Sequence, residues 1–513
     1  MKGRCLMLCV HCGKNQATTF YKENINGQVK ELALCPECAA ELTGQTPAFG
    51  SLFNSSFWND DFFKNPFGTW GNSLFASPKQ AIGGGRRCST CGMTESELRR
   101  TGRAGCGDCY NSFSDILLPY IKKLHGAAAH VGTAPKQVEQ NTNPIDDLKT
   151  RLTEAVKSEN YEEAAKLRDE IRRQGENKMA EFEFHGGFAD LAVSTRVRLA
   201  RNFKGYTYRN LTAEKQKEIA DKIWNAINTA PAISKQFTFS EIKAGSNDAL
   251  SKVETHQISP ELAQNGGYLI ATENGGVSIM IGEEDHMRLQ VMGSGLCPKE
   301  CMKEASRLAS LIESQMPMDY DTNLGYLTAC PSNIGTGLRA SVMLHLPMLE
   351  RAGGISELVN LAGRQGFTVR GAYGEGSRAV GDFYQLSNQI TLGVSEDNII
   401  DKLIKLCTEV IEKEKNLRHR LSSGHEIELT DRVCRAVGIL KTARQIQTNE
   451  AIDCLSQILI GISMKYLDGV KPEEIWKTEQ RIQPAVLGGT ANERDKKRAD
   501  ILRDLTKSLE III

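Results

Sequence analysis

The chain has 513 residues, and its 63 Lys and Arg offset its 63 Asp and Glu, so the formal net charge is zero. That balance leaves no global field to recruit nucleic acid or a membrane surface, and no apolar run approaches the ~18 residues that a membrane span needs. The opening MKGRCLMLCVHCGK is too short and too cysteine-rich for a signal peptide, so the expected setting is cytoplasmic, with about two to four domains and room for a sizeable core.

Nine of the fifteen cysteines precede residue 110, and eight of those form four CxxC pairs. Such pairs point to metal, whereas the scattered Cys297, Cys301, Cys330, Cys407, Cys434 and Cys454 point to reduced thiols. Residues 1–45 hold Cys9 and Cys12, then Cys35 and Cys38, around a segment that alternates like a hairpin turning at Asn26–Gly27. Residues 46–85 are rich in Phe, Trp, Asn, Ser and Gly without a helical or strand period. They read as a flexible linker or as a docking segment, since exposed aromatics mark contact surfaces. Residues 86–130 repeat the metal pattern with Cys88 and Cys91, then Cys106 and Cys109. Four thiolates close a tetrahedral zinc site with no open position, so two structural zinc ribbons are expected. A redox dithiol is the other reading of a CxxC pair, but no thioredoxin-like pattern surrounds these. Cys5 lies outside both sets.

Within residues 140–176, PIDDLKTRLTEAVKSENYEEAAKLRDEIRRQ predicts two short helices around a turn at Ser158-Glu159-Asn160. Leu148, Leu152 and Ala155 share one face, and Ala164, Ala165, Leu167 and Ile171 form a second. So small a hairpin needs a partner or a second copy to pack on. From residue 183 to 394, glycine loops separate the expected strands GGYLIATE, GVSIMIG, GYLTACP, FTVRGAY and DFYQLSNQITLG, with a helix over 299–315. Ser395 caps a further helix whose Ile399, Ile400, Leu403, Leu406 and Val410 hold the helical period. The rest is mostly helical, with turns near Ser422–Gly424, Asp468–Gly469 and Gly488–Gly489. The expected class is α+β: two zinc ribbons and a helical hairpin, an antiparallel sheet flanked by helices over 183–410, and a helical region over 411–513.

The remaining chemistry is phosphoryl transfer. Ser194-Thr195-Arg196-Val197-Arg198 alternates as a strand does and puts both arginines on one face, which suits polyphosphate oxygens. Arg288, Arg339 and Arg370 sit beside loop or glycine signals. With no Walker A lysine motif in the chain, a nucleotide site is built from arginines plus Mg²⁺. Glu284 and Glu375 suit a clamp on the planar guanidinium of an arginine, orienting its nitrogen and accepting its proton. An arginine-rich field around Cys330 is expected to lower its pKa towards a thiolate.

The segments STRVR, VETHQISP, GEEDHMR, YLTACPSNIGTGLRASVMLHLP, VRGAYGEGS and YQLSNQITLG resemble, in order, the phosphagen kinase superfamily, and are close to its bacterial protein arginine kinase branch. The resemblance implies ATP and Mg²⁺ as cofactors and Glu284, Glu375 and Cys330 as guanidinium-facing catalytic residues. It implies nucleotide contacts from Ser194, Thr195, Arg196, Val197 and Arg198, from His256 and Arg288, and from Arg339, Ala340, Ser341, Val342 and Met343. The loop Arg370, Gly371, Ala372, Tyr373, Gly374 and Glu375 completes that set. Relatives that act on free arginine or creatine carry a helical domain before the STRVR motif, which is missing here. The RDKKRA segment matches a phosphoarginine-binding pattern, implicating Arg494, Asp495, Arg498 and Ala499. RAGCGDCYNSF and ENYEEAAKLRDEIR resemble the zinc-binding activator partner of that kinase, with its UVR hairpin, so activator and kinase look fused.

The expected reaction is ATP plus protein-arginine giving ADP plus protein-phosphoarginine, in protein quality control and stress response. By resemblance the protein substrates include heat-shock repressors and clients of a Clp-type protease; a homodimer is expected, and the charge balance predicts no binding of nucleic acid or membrane. A phosphagen kinase for free arginine is the rival enzyme, and a non-catalytic zinc/UVR adaptor the rival from another class.

Overall fold

The computed structural model describes residues 86–135, 182–209, 211–371 and 379–512, the strand backbones at 19–25 and 28–34, and parts of 151–168. Cys9, Cys12, Cys35 and Cys38, the 46–85 segment, and Ala372, Tyr373, Gly374 and Glu375 lie outside the described residues.

β1 (Thr19–Ile25) and β2 (Gln28–Leu34) pair antiparallel. Their register sets Ile25 against Gln28, while the turn expected at Asn26–Gly27 lies outside the described residues. The second four-cysteine segment folds around a helix over Glu95–Thr101, with a capping box between Thr94 and Glu97, and a helix over Ser114–His125. Within 151–168, Leu152, Ala155, Ala164 and Leu167 pack against one another, and Asn160 N–H donates to the Ala155 carbonyl at 2.9 Å.

Eight strands form one antiparallel sheet. They are β3 (Ala192–Arg201), β4 (Phe237–Ile242), β5 (Gly267–Thr272), β6 (Val277–Ile281), β7 (Met287–Ser294), β10 (Leu338–His345), β11 (Phe367–Gly371) and β12 (Phe383–Asn388); β8 (Tyr320–Asp321) and β9 (Gly325–Tyr326) pair separately. The spatial order is β11-β12-β10-β3-β7-β6-β5-β4. Val197, Leu199, Leu289, Val291, Leu338, Ala340 and Val342 point to one face, where they bury against helices 213–228, 298–313 and the start of 396–442. This core leaves the opposite face for polar side chains.

Two sequence expectations give way here. GYLTACP is a strand only at Gly325–Tyr326. Beyond it the backbone bonds to side chains instead of a ladder: Asn202 Nδ2 donates to the Leu327 carbonyl at 3.2 Å, and Ala329 N–H donates to Asp285 Oδ1 at 2.7 Å. The turn near Ser422–Gly424 is absent, because one helix runs from Glu396 to Thr442. Buried Arg418, Leu429, Val433 and Leu440 keep one face on both sides of that point. Their packing outweighs the ~1 kcal/mol that a helical glycine costs. Ser395 caps this helix by accepting from Asn398 N–H, and Gly469, Gly488 and Gly489 adopt positive φ at the other expected turns. The region after 411 is helical apart from the short pair β13 (Leu467–Asp468) and β14 (Glu510–Ile511).

Candidate functional site

Strand register gathers the arginines. Directly opposed residues of an antiparallel pair share a face. Arg198 faces Arg339 on one side and Gln290 on the other; Arg196 faces Ser341; Arg288 faces Ala200. Ser341 also faces Ser387, and Arg370 faces Gln385 on that strand. Arg196, Arg198, Arg288, Arg339 and Arg370 therefore project from one side of the sheet, on β3, β7, β10 and β11, together with Ser194, Ser341 and Met343; Val197, Ala340 and Val342 point into the core beneath. Arg196, Arg198, Arg288 and Arg339 are each at least nine-tenths buried. Arg198, Arg288 and Arg339 line a cleft with Ser332, Asn333 and Asn388. Arg339 Nη2 donates to Ser387 Oγ at 3.1 Å. Thr195 instead hydrogen-bonds the Gly295 carbonyl at 2.7 Å. His256 lies under the same face with its ring stacked on Trp476, 5.4 Å between centroids. Burial and Arg196 hold its pKa well below the ordinary value, so it is a neutral ring.

The turn between β6 and β7, Gly282 to His286, buries four titratable groups. Glu283 accepts from Ser259 and pairs with Arg288 at 2.8 Å. Asp285 accepts from Asn202 Nδ2 at 2.6 Å and from Ala329 N–H. His286 Nδ1 accepts from Phe203 N–H at 3.0 Å, which leaves Nε2–H to donate to the Thr207 carbonyl at 2.9 Å. Burial brings the His286 pKa down to about 4. Glu284 lies 3.4 Å from Arg103 Nη2 with a fully buried side chain. Burial raises it to about 8, against the pull of Arg103. Sequence reasoning singled out only Glu284 in this turn. A run of four titratable residues directly after an apolar strand was the available signal for Glu283, Asp285 and His286.

Cys330 is fully buried beside Glu284, with its Sγ 3.1 Å from Ser332 Oγ. The expectation of a lowered pKa is overturned. Burial, reinforced by the Glu284 charge, pushes the thiol up to about 12 and exceeds the opposing effect of Arg103.

The four-cysteine module docks on this segment. Tyr110 Oη donates to the Thr328 carbonyl and Ala104 N–H to the Ala329 carbonyl, both at 2.7 Å. Phe113, Leu117 and Ile121 share a core with Leu327, Ile334 and Leu392. The Sγ atoms of Cys88, Cys91, Cys106 and Cys109 lie within 4.8 Å of one another, with separations of 3.6 Å (Cys88–Cys106) and 3.4 Å (Cys91–Cys109). Tetrahedral zinc with ~2.3 Å bonds spaces its sulfurs about 3.8 Å apart, so this cluster fits zinc. No comparable cage awaits Mg²⁺ in the Glu283–Asp285 turn, because each of those carboxylates already faces a cation or hydrogen-bond donors. A hard dication fits here as one carried on nucleotide phosphates with its waters.

The RDKKRA residues lie on a helix over Ala491–Leu505. Arg498 is buried and donates to the carbonyls of Ile482 and Ile446 and to Asp495, while half-buried Arg494 donates to the Gly489 carbonyl. Ala499 sits in the C-terminal core. This region meets the sheet domain where Glu254 accepts from Ala485 N–H at 2.5 Å and Val486 N–H at 3.1 Å. Among the described residues no helix is long and apolar enough to cross a membrane.

Comparison with known proteins covers most of the chain. Residues 218–417 match the ATP:guanido phosphotransferase C-terminal catalytic domain and residues 426–511 the protein-arginine kinase McsB C-terminal domain. Residues 86–132 match the McsA central zinc-finger domain and 142–174 the UvrB/uvrC motif. A protein-arginine kinase of Bacillus cereus (strain AH187) is 38% identical over 329 residues, 62% of this chain and 93% of its own length. One from Bacillus mycoides (strain KBAB4) has the same identity and coverage. Among solved structures, the substrate-free duplicated taurocyamine kinase from Schistosoma mansoni is 21% identical, at a TM-score of 0.48 over 70% of this chain and 50% of that one.

Proposed function

The chain belongs to the protein-arginine kinase family, and we propose that it transfers the γ-phosphate of ATP to arginine side chains of proteins, with its zinc-binding activator on the same polypeptide. The observation that carries this reading is the cleft lined by Arg198, Arg288 and Arg339, next to the turn that carries Glu284. Arginines on one rigid sheet face would hold the triphosphate and stabilise charge on the transferred phosphoryl group. Bound Mg²⁺ supplies further charge neutralisation on the phosphates. Glu284, with Glu375, would orient the acceptor guanidinium. As the N–P bond forms and the bond from the γ-phosphorus to the β–γ bridging oxygen breaks, the guanidinium proton passes to a carboxylate. A base whose pKa burial sets near 8 is matched to that task near neutral pH. Cys330 would contribute as a neutral thiol.

Protein acceptors fit a chain in which, among the described residues, a zinc module and not an enclosing helical domain stands beside the acceptor side. The finer assignments belong to the same reading. They are a second zinc ribbon through Cys9, Cys12, Cys35 and Cys38, a UVR hairpin over 140–176, and phosphoarginine binding at Arg494, Asp495, Arg498 and Ala499. Also included are a cytoplasmic homodimer and heat-shock repressor and Clp-type partners. One polypeptide holds activator and kinase at an effective concentration of order millimolar, which makes activation intramolecular.

The test offers ATP with either free L-arginine or an unfolded protein acceptor, and counts acid-labile phosphate on each, with phosphoarginine located by mass spectrometry. Label on the protein acceptor is expected; label on free arginine alone would overturn the reading.

A further inference from the structure

One guanidinium already stands at Glu284, and it comes from the zinc module. Arg103 follows the helix over Glu95–Thr101, which ends at Gly102 in the left-handed conformation (φ 64°). Its Nη2 lies 3.4 Å from Glu284 Oε2 and its Nη1 3.8 Å from Glu261 Oε1. Cys330 and Asp285 also act on its charge. These neighbours include both described residues assigned to face an acceptor arginine.

The simplest alternative is an ion pair that helps the module to dock. Docking, however, is served by other contacts. Ala104 N–H reaches the Ala329 carbonyl, Gly105 accepts from Tyr208 N–H at 2.8 Å, and Tyr110, Phe113 and His125 add further contacts. Those backbone bonds follow Arg103 directly in the chain and aim its side chain. An incoming arginine would set a second positive charge beside Arg103 at one buried carboxylate, so the two guanidinium groups compete for Glu284.

We infer that Arg103 is a resident occupant of the acceptor-guanidinium seat, so that the zinc module controls access of protein arginines to Glu284. This rests on the kinase reading above. The Arg103 side chain is about a quarter exposed, which gives it a route out. The loop it rides on is seated on the metal cluster. A Cβ at Gly105 would come within 2.8 Å of Cys91 Sγ, and Cys106 follows directly. Movement of the metal-bound module would therefore carry Arg103 with it, coupling acceptor access to how the module sits on the 327–330 segment.

The experiment uses the full chain and its R103A and R103K variants, with ATP and a short peptide bearing one arginine as acceptor. If Arg103 fills the seat about nine-tenths of the time, the apparent KM for the peptide is inflated about tenfold. R103A should lower it by that factor with the KM for ATP unchanged. R103K should lie between, because lysine keeps the charge without the planar fork. Zinc content and melting temperature report that the module stays folded, and were R103A to unfold, the peptide KM of R103K against wild type decides the same question. A peptide KM that is unchanged or raised in the folded variants overturns the inference while leaving the kinase reading intact. Absence of transfer to any acceptor by the wild-type chain sinks both.

Discussion

Replacing Glu284 with Gln separates the charge of this carboxyl group from its shape. Burial raises its pKa to about 8 from an ordinary 4.5. Between those values the folded chain holds a proton there that the unfolded chain has released. Wild-type stability is therefore full below pH 4.5 and falls by about 1.4 kcal/mol per pH unit up to pH 8. From pH 6 to pH 8 that amounts to roughly 3 kcal/mol, an upper figure because neighbouring Asp285 titrates with it. E284Q has nothing to titrate at this position, so its stability should be flatter by that amount. Urea denaturation at the two pH values checks this, followed by tryptophan fluorescence, since half-buried Trp224 stacks on Phe239 against the catalytic core. The same variant should lose about 10²–10⁴ in phosphoryl transfer, the usual contribution of a positioned base, while still binding ATP. Parallel pH dependences in the two proteins would refute the burial argument, and undiminished turnover would refute the catalytic one.

Arg198→Ala removes charge-assisted hydrogen bonds to the nucleotide, each worth about 1.5–3 kcal/mol, so ATP affinity by calorimetry should weaken about 10–100-fold; unaltered affinity would remove Arg198 from the site. Cys330, pushed up to about 12, should resist iodoacetamide at pH 8, and C330S should keep more than about a tenth of the activity. Rapid alkylation of the folded protein at that residue would contradict its burial. Stripping zinc with a strong chelator should free Cys88, Cys91, Cys106 and Cys109 for titration by a thiol reagent and lower the melting temperature, because the module shares its core with Leu327, Ile334 and Leu392. No gain in reactive thiols would mean that those four cysteines do not hold the metal.

Several features were legible because they depend on neighbours in the chain. The alternation of Arg196 and Arg198, the cap at Ser395, the glycine turns after 467 and 487, and the spacing of Cys88, Cys91, Cys106 and Cys109 are all written within a few residues. Others were not. Nothing local says that Gly282 to His286 buries four titratable groups, or that residues 327–330 bond to Asn202, Asp285 and the zinc module in place of a strand neighbour. The turn signal at Ser422–Gly424 was real, but it was overruled by side chains buried on both sides of it.

The Cys88–Cys109 cage and the arginine motifs were thus determined by sequence alone, since spacing and period dictate which groups a short segment can present together, while the kinase class came from the resemblance those motifs carry in order. Only the tertiary structure decided what those groups experience. Strand register, which is set between distant segments, brought Arg198, Arg288 and Arg339 into one cleft. Burial made Cys330 a neutral thiol and Glu284 a high-pKa carboxyl, because desolvation depends on everything packed around a group. The docked zinc module placed Arg103 against Glu284, about 180 residues apart in the chain.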